Sequence, residues 1–281
     1  MESAEYSFFK VNDSKYKDLQ YEDAVIDNKP NDRCVSYSLI IPAFNEEKRI
    51  KPFLMDLVKI LPLSWEIIIV CDGTDGTAEI ARQINTNGTV LQFKDRLGKG
   101  GAIREGFKVA NANIIGYADA DGAISPSDIL KVFNTISKNT DVAIGSRWLR
   151  ESKVEVPQPI YRILLGRLYH YFTFAILGLT QKDTQCGVKA FKQDTLTEIL
   201  SAVTIKNLSF DTAVLFHCKK NGHVIKEVPI SWKNKGGSKV TPTKTAMIMF
   251  LSLLGIRLAH AKRAKTLSII LESVRNLVEN A

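Results

Sequence analysis

The sequence predicts an α/β fold: a mostly parallel sheet flanked by helices on both faces. Three observations carry this. Short apolar runs recur through the first half of the chain, stretches of helical spacing alternate with them, and a polar cluster closes each run. Near-continuous apolar strands alternating with helices indicate a parallel sheet covered on both sides. In open sheets of this kind ligands bind beyond the carboxyl ends of the strands, where the polar clusters fall.

The elements follow in order. SLIIPAFNEE opens with an apolar run that stops at Pro42, the first strand of the pattern. EEKRIKPFLMDLVKIL carries Ile50, Phe53, Leu54, Leu57 and Leu61 at helical spacing. EIIIVCDG (66–73) is a buried strand ending in Asp-Gly, and TDGTAEIARQI is the next helix, with Thr74 or Asp75 expected as its cap. TVLQFK (89–94) is strand-like, GKGGAIREGFKVA (98–110) is helical after a glycine-rich entry, and ANIIGYA (112–118) is a strand again. SPSDILKVFNTIS, with an early proline, is a helix, and DVAIGS (141–146) is the fifth strand. This half is Rossmann-like, but no strand leads into GxGxxG and no P-loop is present.

The second half is less regular. IYRILLGRLYHYFTFAILGL (160–179) is aromatic, apolar and punctuated by arginines. CGVKAFK (186–192) and HVIKEVPISWK (223–233) read as strands, with NLSFDTAVLFHCKK (207–220) a helix between them. After NKGGSKVTP comes an apolar helix at about 243–260, then a charged one to the end. Residues 1–36 show no sustained period and read as an irregular or partly helical acidic extension. The expected organisation is therefore the extension (1–36), an α/β body (37–240) and C-terminal amphipathic helices (241–281).

Composition removes several function classes. A chain of 281 residues is one large domain or two small ones. Its net charge is +8, yet residues 1–32 carry −4, so the remainder carries +12. Such a body attracts nucleic acid, anionic lipid or a phosphorylated ligand. The basic residues form no stripe interleaved with aromatics, which sets nucleic acid aside. Cys34, Cys71, Cys186 and Cys218 lie far apart with no CxxC pair, so zinc and a disulfide framework are not expected. Reduced thiols point to a cytosolic setting. MESAEYSFFK is acidic and lacks the apolar core of a signal peptide. The longest uncharged apolar stretches, 168–181 and 245–256, fall short of the roughly 20 residues that a membrane span needs.

The chemistry concentrates in YADADGA (117–123). Asp119 and Asp121 follow a strand and precede a glycine, so both carboxylates can reach one divalent cation, Mg²⁺ or Mn²⁺. Aspartate and glycine also make turns, and that reading stands beside the first. Asn45 and Glu46, after Pro42 and Ala43, either start a helix or hydrogen-bond a base or ribose. Asp72 is a turn residue or a base-edge acceptor. Lys99, in RLGKGG, sits at a glycine-rich helix start, a place that attracts anions, or in a simple turn. Arg147, Arg162, Lys189 and Lys239 read as solvated charges unless the fold brings them to the site. Asp211 and Asp183 are base candidates for an alcohol acceptor; Asp211 equally suits a helix cap, and Asp183 an orienting partner of Arg147 or Arg162.

Taken together, SLIIPAFNEEKRI, EIIIVCDGTDGT, RLGKGGAIREG, ADADGA, GSR, DTQCGVKAF, FDTAVLF and EVPISWKNKGGSKV resemble a family 2 glycosyltransferase of GT-A fold. The resemblance covers about residues 37–260, and is closest to the dolichyl-phosphate glucosyltransferases, with the dolichyl-phosphate mannose synthases next. It implies a catalytic domain over 37–240 that moves a hexose, with inversion, from a nucleotide sugar to a polyprenyl (dolichyl) phosphate. UDP-glucose is the favoured donor and GDP-mannose the next. By the same resemblance Pro42, Ala43, Asn45, Glu46 and Asp72 bind the nucleoside and Lys99 lies near the diphosphate. Asp119, Ala120 and Asp121 hold metal and donor, while Arg147, Arg162 and Lys239 hold the acceptor phosphate. The implied location is cytoplasmic, peripheral at the cytoplasmic face of a membrane, touched through 160–179 and 243–260. A soluble transferase for a glycan or small alcohol, and a non-catalytic nucleotide- or lipid-binding relative, are the alternatives. Three departures mark the chain. Ala123 stands where mannose synthases have a metal-binding glutamine, as in the glucosyltransferase branch; Cys71 replaces an aspartate; and an acidic extension stands in place of an N-terminal anchor.

Overall fold

The structure is a computed structural model describing residues 25–27, 35–85, 88–156, 158–236 and 242–260. The first half contains β1 (Val25–Asp27), β2 (Tyr37–Ala43), α1 (Glu47–Ile60), β3 (Trp65–Cys71), α2 (Thr77–Ile84) and β4 (Thr89–Gln92). It continues through α3 (Gly98–Val109), β5 (Ile114–Ala118), α4 (Pro126–Phe133) and β6 (Val142–Ser146). Then come β7 (Lys153–Val156), α5 (Ile160–Leu177), β8 (Val188–Lys192), α6 (Gln193–Ala202) and α7 (Phe210–Lys220). β9 (Ile225–Pro229), β10 (Ser231–Lys233) and α8 (Pro242–Ala259) complete the described elements.

Eight strands form one sheet in the order β1-β4-β3-β2-β5-β8-β6-β9. Six point the same way, while β8 runs antiparallel to β5 and β6, and β1 antiparallel to β4. Alternation splits each strand between two apolar layers. Leu39 and Ile41 face the layer with α1, α2 and α4, whereas Ile40 faces the layer that holds Ile103, Phe210 and Val214. Because both faces are covered, the strands read as unbroken apolar runs.

Five features depart from the expectations. β1 lies within the stretch expected to be irregular and extends the sheet edge, and β7 and α6 occupy segments for which the sequence predicts no element. HVIKEVPISWK is two strands rather than one. β9 joins the large sheet, and β10 leaves it to pair in parallel with β7. Pro229 ends β9 because proline offers no N–H to continue the ladder. The α2 cap is Gly76, not Thr74 or Asp75; Asp75 Oδ1 accepts from the Thr77 amide instead. The charged helix expected after α8 lies outside the described residues.

The first core layer has an aromatic centre. Phe133 is wholly buried, with its ring centroid 4.6 Å from Trp65 and 6.0 Å, edge-on, from Tyr37. Phe133→Ala should cost about 3–5 kcal/mol, the usual loss when a packed aromatic leaves a cavity. Urea denaturation checks this as a lowered midpoint with an unchanged slope.

Candidate active site

The carboxyl ends of β2, β3 and β5 deliver polar side chains to one rim. After Ala43 the chain turns through Asn45, at φ 55°, the one described residue other than glycine with positive φ. Asparagine tolerates that conformation. Its Oδ1 accepts from the Thr74 and Asp75 amides at 2.9 and 3.3 Å, so it ties the β2 loop to the β3 loop instead of capping α1. Glu46 is the α1 N-cap residue, without a side-chain cap bond. Its carboxylate holds Arg49 by two bonds of 2.5 and 2.7 Å, and Arg49 reaches on to the Gly236 carbonyl at 3.0 Å. The Arg96 guanidinium lies 3.7 Å over the Phe44 ring.

Asp72 is buried and points at the entry of α3. Its Oδ2 accepts from the amides of Leu97 and Gly98, both at 2.9 Å. Burial raises the Asp72 carboxyl, against the opposing pull of these amides. Gly98 sits at φ +71°, and a Cβ there would stand 2.8 Å from the Lys206 carbonyl. That carbonyl accepts from the Gly100 amide at 2.8 Å. The amides of residues 97, 98 and 100 are therefore occupied within the protein. The cation that α3 offers to an anion at the rim is the Lys99 side chain.

Lys99 leads into a buried charge network. Its Nζ is 2.9 Å from Asp119 Oδ1 and 2.8 Å from Asp211 Oδ2. Asp211 Oδ1 accepts from Lys189 Nζ at 2.6 Å and from the Tyr117 hydroxyl at 2.7 Å. Lys189 is wholly buried, contrary to its reading as a solvated charge, and also donates to the Cys186 carbonyl at 2.8 Å. Burial alone would raise the Asp211 carboxyl, but Lys189 and Lys99 outweigh it and bring it down to about 2. Burial likewise opposes the Lys99 charge, and Asp119 with Asp211 reverses that, raising its pKa.

Asp119 and Asp121 stand at the tip of β5. Asp121 Oδ1 accepts from the Ala123 amide at 3.0 Å, which closes the turn. Gly187 clears room for Asp119: a Cβ there would lie 2.3 Å from Asp119 Oδ2. Ala120, between them, is buried. The pocket beside Asp121 holds about 200 Å³ and is bounded by Arg49, Phe53, Glu155, Lys233 and Lys235. The chain after β9 lies along this turn, with Lys233 N bonded to the Ala123 carbonyl at 2.9 Å.

Arg147 follows β6 and is locked to Asp183. Two guanidinium bonds of 2.7 and 2.8 Å and the Arg147 amide at 2.9 Å all end on that carboxylate. Burial works against both charges, yet each partner stabilises the other: Arg147 is raised and Asp183 lowered. The guanidinium lies 5.5 Å over the Trp232 ring. Arg162 occupies the first turns of α5, with no ion pair to another described residue. Lys239 lies outside the described residues.

The donor set suits a divalent metal in one respect. No group of three or more His, Cys, Asp or Glu side chains gathers among the described residues. Asp119 and Asp121 nevertheless offer hard oxygens, and the Asp119 side chain is 43% exposed. Burial and then the neighbouring Asp119 charge raise Asp121, against the opposing pull of the Ala123 amide and Arg49. A cation whose other ligands are phosphate oxygens and water fits the pair.

The family model described as glycosyl transferase family 2 matches residues 38–200. The chain belongs to this family. Among its relatives, a dolichyl-phosphate beta-glucosyltransferase of Dictyostelium discoideum is 32% identical over 258 residues, 84% of this chain and 78% of that one. The Saccharomyces cerevisiae protein of the same name is 32% identical over 256 residues, 82% of this chain and 76% of its own. The Homo sapiens one is 28% identical over 243, covering 79% and 75%. Glucosyl-3-phosphoglycerate synthase from Mycobacterium tuberculosis, solved with Mn²⁺, uridine-diphosphate and glucosyl-3-phosphoglycerate, shares the fold. It has a TM-score of 0.60 at 15% identity, covering 80% of this chain and 79% of that one.

This family 2 glycosyltransferase thus gathers Asp119, Asp121, Lys99 and Asp211 in one cluster, with Arg147 and Asp183 as a second pair. Lys189, which the sequence reads as a solvated charge unless the fold brings it to the site, does belong to it, as do Tyr117 and Arg49, to which the sequence gives no role. One signal for Lys189 was available: in VKAFK it shares a strand face with Phe191, a buried position.

Replacing Asp211 with Asn strands the Lys189 charge in the interior, a loss of about 3–5 kcal/mol. In the wild type, the Asp211 contribution is complete above the ordinary carboxyl value of 3.8 and is lost as pH falls through about 2. Denaturation between pH 5 and pH 2 should show this acid limb in the wild type, and a smaller one in Asp211→Asn.

Proposed function

We propose that this enzyme transfers glucose, with inversion, from UDP-glucose to a polyprenyl phosphate of the dolichyl type. The names of its relatives support the substrates. The observation that carries the reading is the occupation of both base candidates. Asp211 has its oxygens bonded to two lysines and a tyrosine and its carboxyl near 2, and Asp183 spends both oxygens on Arg147. Neither is a proton acceptor near neutral pH. An alcohol must lose a proton during attack, whereas a phosphate monoester, with a second pKa near 6, arrives as an anion. Fixed cations, with both base candidates occupied, suit the second.

In this mechanism an acceptor phosphate oxygen forms a bond to the anomeric carbon as the bond to the UDP β-phosphate breaks. The electron pair leaves with UDP, so negative charge grows on the diphosphate. Lys99 stands beside Asp119 to meet it, and Arg147, kept charged and oriented by Asp183, faces the acceptor phosphate. Asp119 and Asp121 would hold Mg²⁺ or Mn²⁺, which when bound supplies Lewis-acid stabilisation of the leaving diphosphate. Ala43, Asn45, Glu46 and Asp72 border the nucleoside. Arg162 and Lys239 are assigned to the acceptor side.

A panel of radiolabelled nucleotide sugars against dolichyl phosphate with Mg²⁺ or Mn²⁺, extracted into organic solvent, tests this. Label should move from UDP-glucose into the organic phase, and Asp119→Ala should abolish it. Transfer confined to glycans or alcohols would replace the acceptor, and unchanged turnover in Asp119→Ala would sink the metal assignment.

The acceptor brings the protein to a membrane surface. No helix among the described residues is long and apolar enough to cross one. α5 instead exposes Ile160, Leu164, Leu168, Tyr171 and Phe174 along one side, and packs against α8 through Phe172 and Phe250, 4.8 Å apart. At the far end of α5, Lys219, Lys220, Arg257 and His260 ring a pocket of about 230 Å³. An apolar stripe beside cations is the composition of an interfacial contact. The buried thiols Cys71, Cys186 and Cys218 accord with the cytoplasmic face. The protein should pellet with anionic vesicles at low salt and be released by salt, and Leu164→Glu should weaken this. Full solubility beside such vesicles at low salt would count against the contact.

A further inference from the structure

Asp211 divides its two oxygens between the interior and the rim. Oδ1 takes Lys189 and Tyr117 from β8 and β5, and Oδ2 takes Lys99 from α3. Lys99 is itself shared, at 2.9 Å from Asp119 and 2.8 Å from Asp211. An ammonium has three N–H donors, so two are engaged and the third has no partner among the described residues.

We propose that Lys189 is a positioning residue for transfer: by sharing the charge of Asp211 it keeps Lys99 between two carboxylates, with one donor free for the donor diphosphate. The inference rests on the site assignment above. The two cations on Asp211 are not alike. Lys189 is wholly buried and cannot reach solvent, while Lys99 borders the half-exposed Asp119. Charges in a desolvated interior interact strongly, so a buried carboxylate left with one lysine holds it more firmly than a carboxylate with two. Without Lys189, Asp211 draws Lys99 inward, away from Asp119 and from the place where diphosphate charge develops. The ring of Tyr117 lies 5.5 Å from Lys99 Nζ and 5.7 Å from Lys189 Nζ, so the same aromatic ring borders both ammonium groups. The contribution of Lys99 to charge that grows in the transition state is thereby set by a side chain that touches no substrate.

The test is a double-mutant cycle on steady-state transfer, using whichever nucleotide sugar the wild type turns over fastest. A wrong sugar or acceptor then removes the function proposed above and leaves this comparison standing. Lys189→Met should lower kcat at least about ten-fold, with KM for the nucleotide sugar changed less than about two-fold. In a Lys99→Met background the same substitution should have little further effect, because the group through which it acts is gone. Tyr117→Phe, a milder removal of one donor to the same oxygen, should lower kcat in the same direction and less, and supplies the comparison where Lys189→Met does not fold. Equal fold losses with and without Lys99, or an unchanged kcat in the soluble variants, would overturn the proposal.

Discussion

A single desolvated carboxylate organises the interior of this protein. Asp211 begins α7, yet its partners come from α3, β5 and β8, so one side chain joins four elements where the sheet meets the rim. Burying such a group is costly unless its lone pairs are satisfied and its charge is matched. Both conditions hold only when Lys99, Lys189 and Tyr117 are all in place. The antiparallel insertion of β8 between β5 and β6 is what brings Lys189 to this point, so sheet topology and site electrostatics are one constraint. Partly exposed pairs such as Lys192 with Asp141 do not compare, because solvent reaches them and holds such pairs to about 0–1 kcal/mol.

The sequence made some of this plain and hid the rest, for physical reasons. β2 to β6 announce themselves because strands covered on both faces must be apolar throughout, and α1 because its core positions recur at helical spacing. β1 is three residues long at the sheet edge, too short for any period to show. α6 carries Leu196, Ile199 and Leu200 at helical spacing, with Val203 at its C-cap, so its period is legible in the sequence. The rim residues Asn45, Asp72 and Asp119 were visible because each follows an apolar run. Lys189 was not, since a lysine inside a strand ordinarily marks an exposed face. Only the position of Asp211, 22 residues away, makes it an interior residue. Arg147 with Asp183, 36 residues apart, was one of two pairings open to the sequence, and geometry selects between them.

The two buried carboxylates that resemble catalytic bases are both spoken for, and this bears on the acceptor more than on the donor. A base must have a lone pair free and a pKa near the working pH. Asp211 fails on both counts and Asp183 on the first. The same two residues keep a lysine and an arginine charged and aimed at the rim. On the proposed reading these cations would stabilise negative charge on either side of the reacting carbon. In the proposed transfer both reacting groups are phosphates, and this arrangement is what they require.

The Asp119-Ala120-Asp121 turn need not be chosen as either a turn or a cation site. Asp121 uses Oδ1 to close the turn on Ala123, and Gly187 gives Asp119 the space to point outward. The turn is what aims the pair, and the aim leaves oxygens unspent. With alanine at 123, no third carboxylate among the described residues completes the set, so a metal held there would depend on oxygens that the donor brings. Lys99 lies against Asp119 at 2.9 Å and compensates part of its carboxylate charge. In the proposed transfer Asp119 and Asp121 would hold that cation, while Lys99, kept between Asp119 and Asp211, has its third donor for the diphosphate.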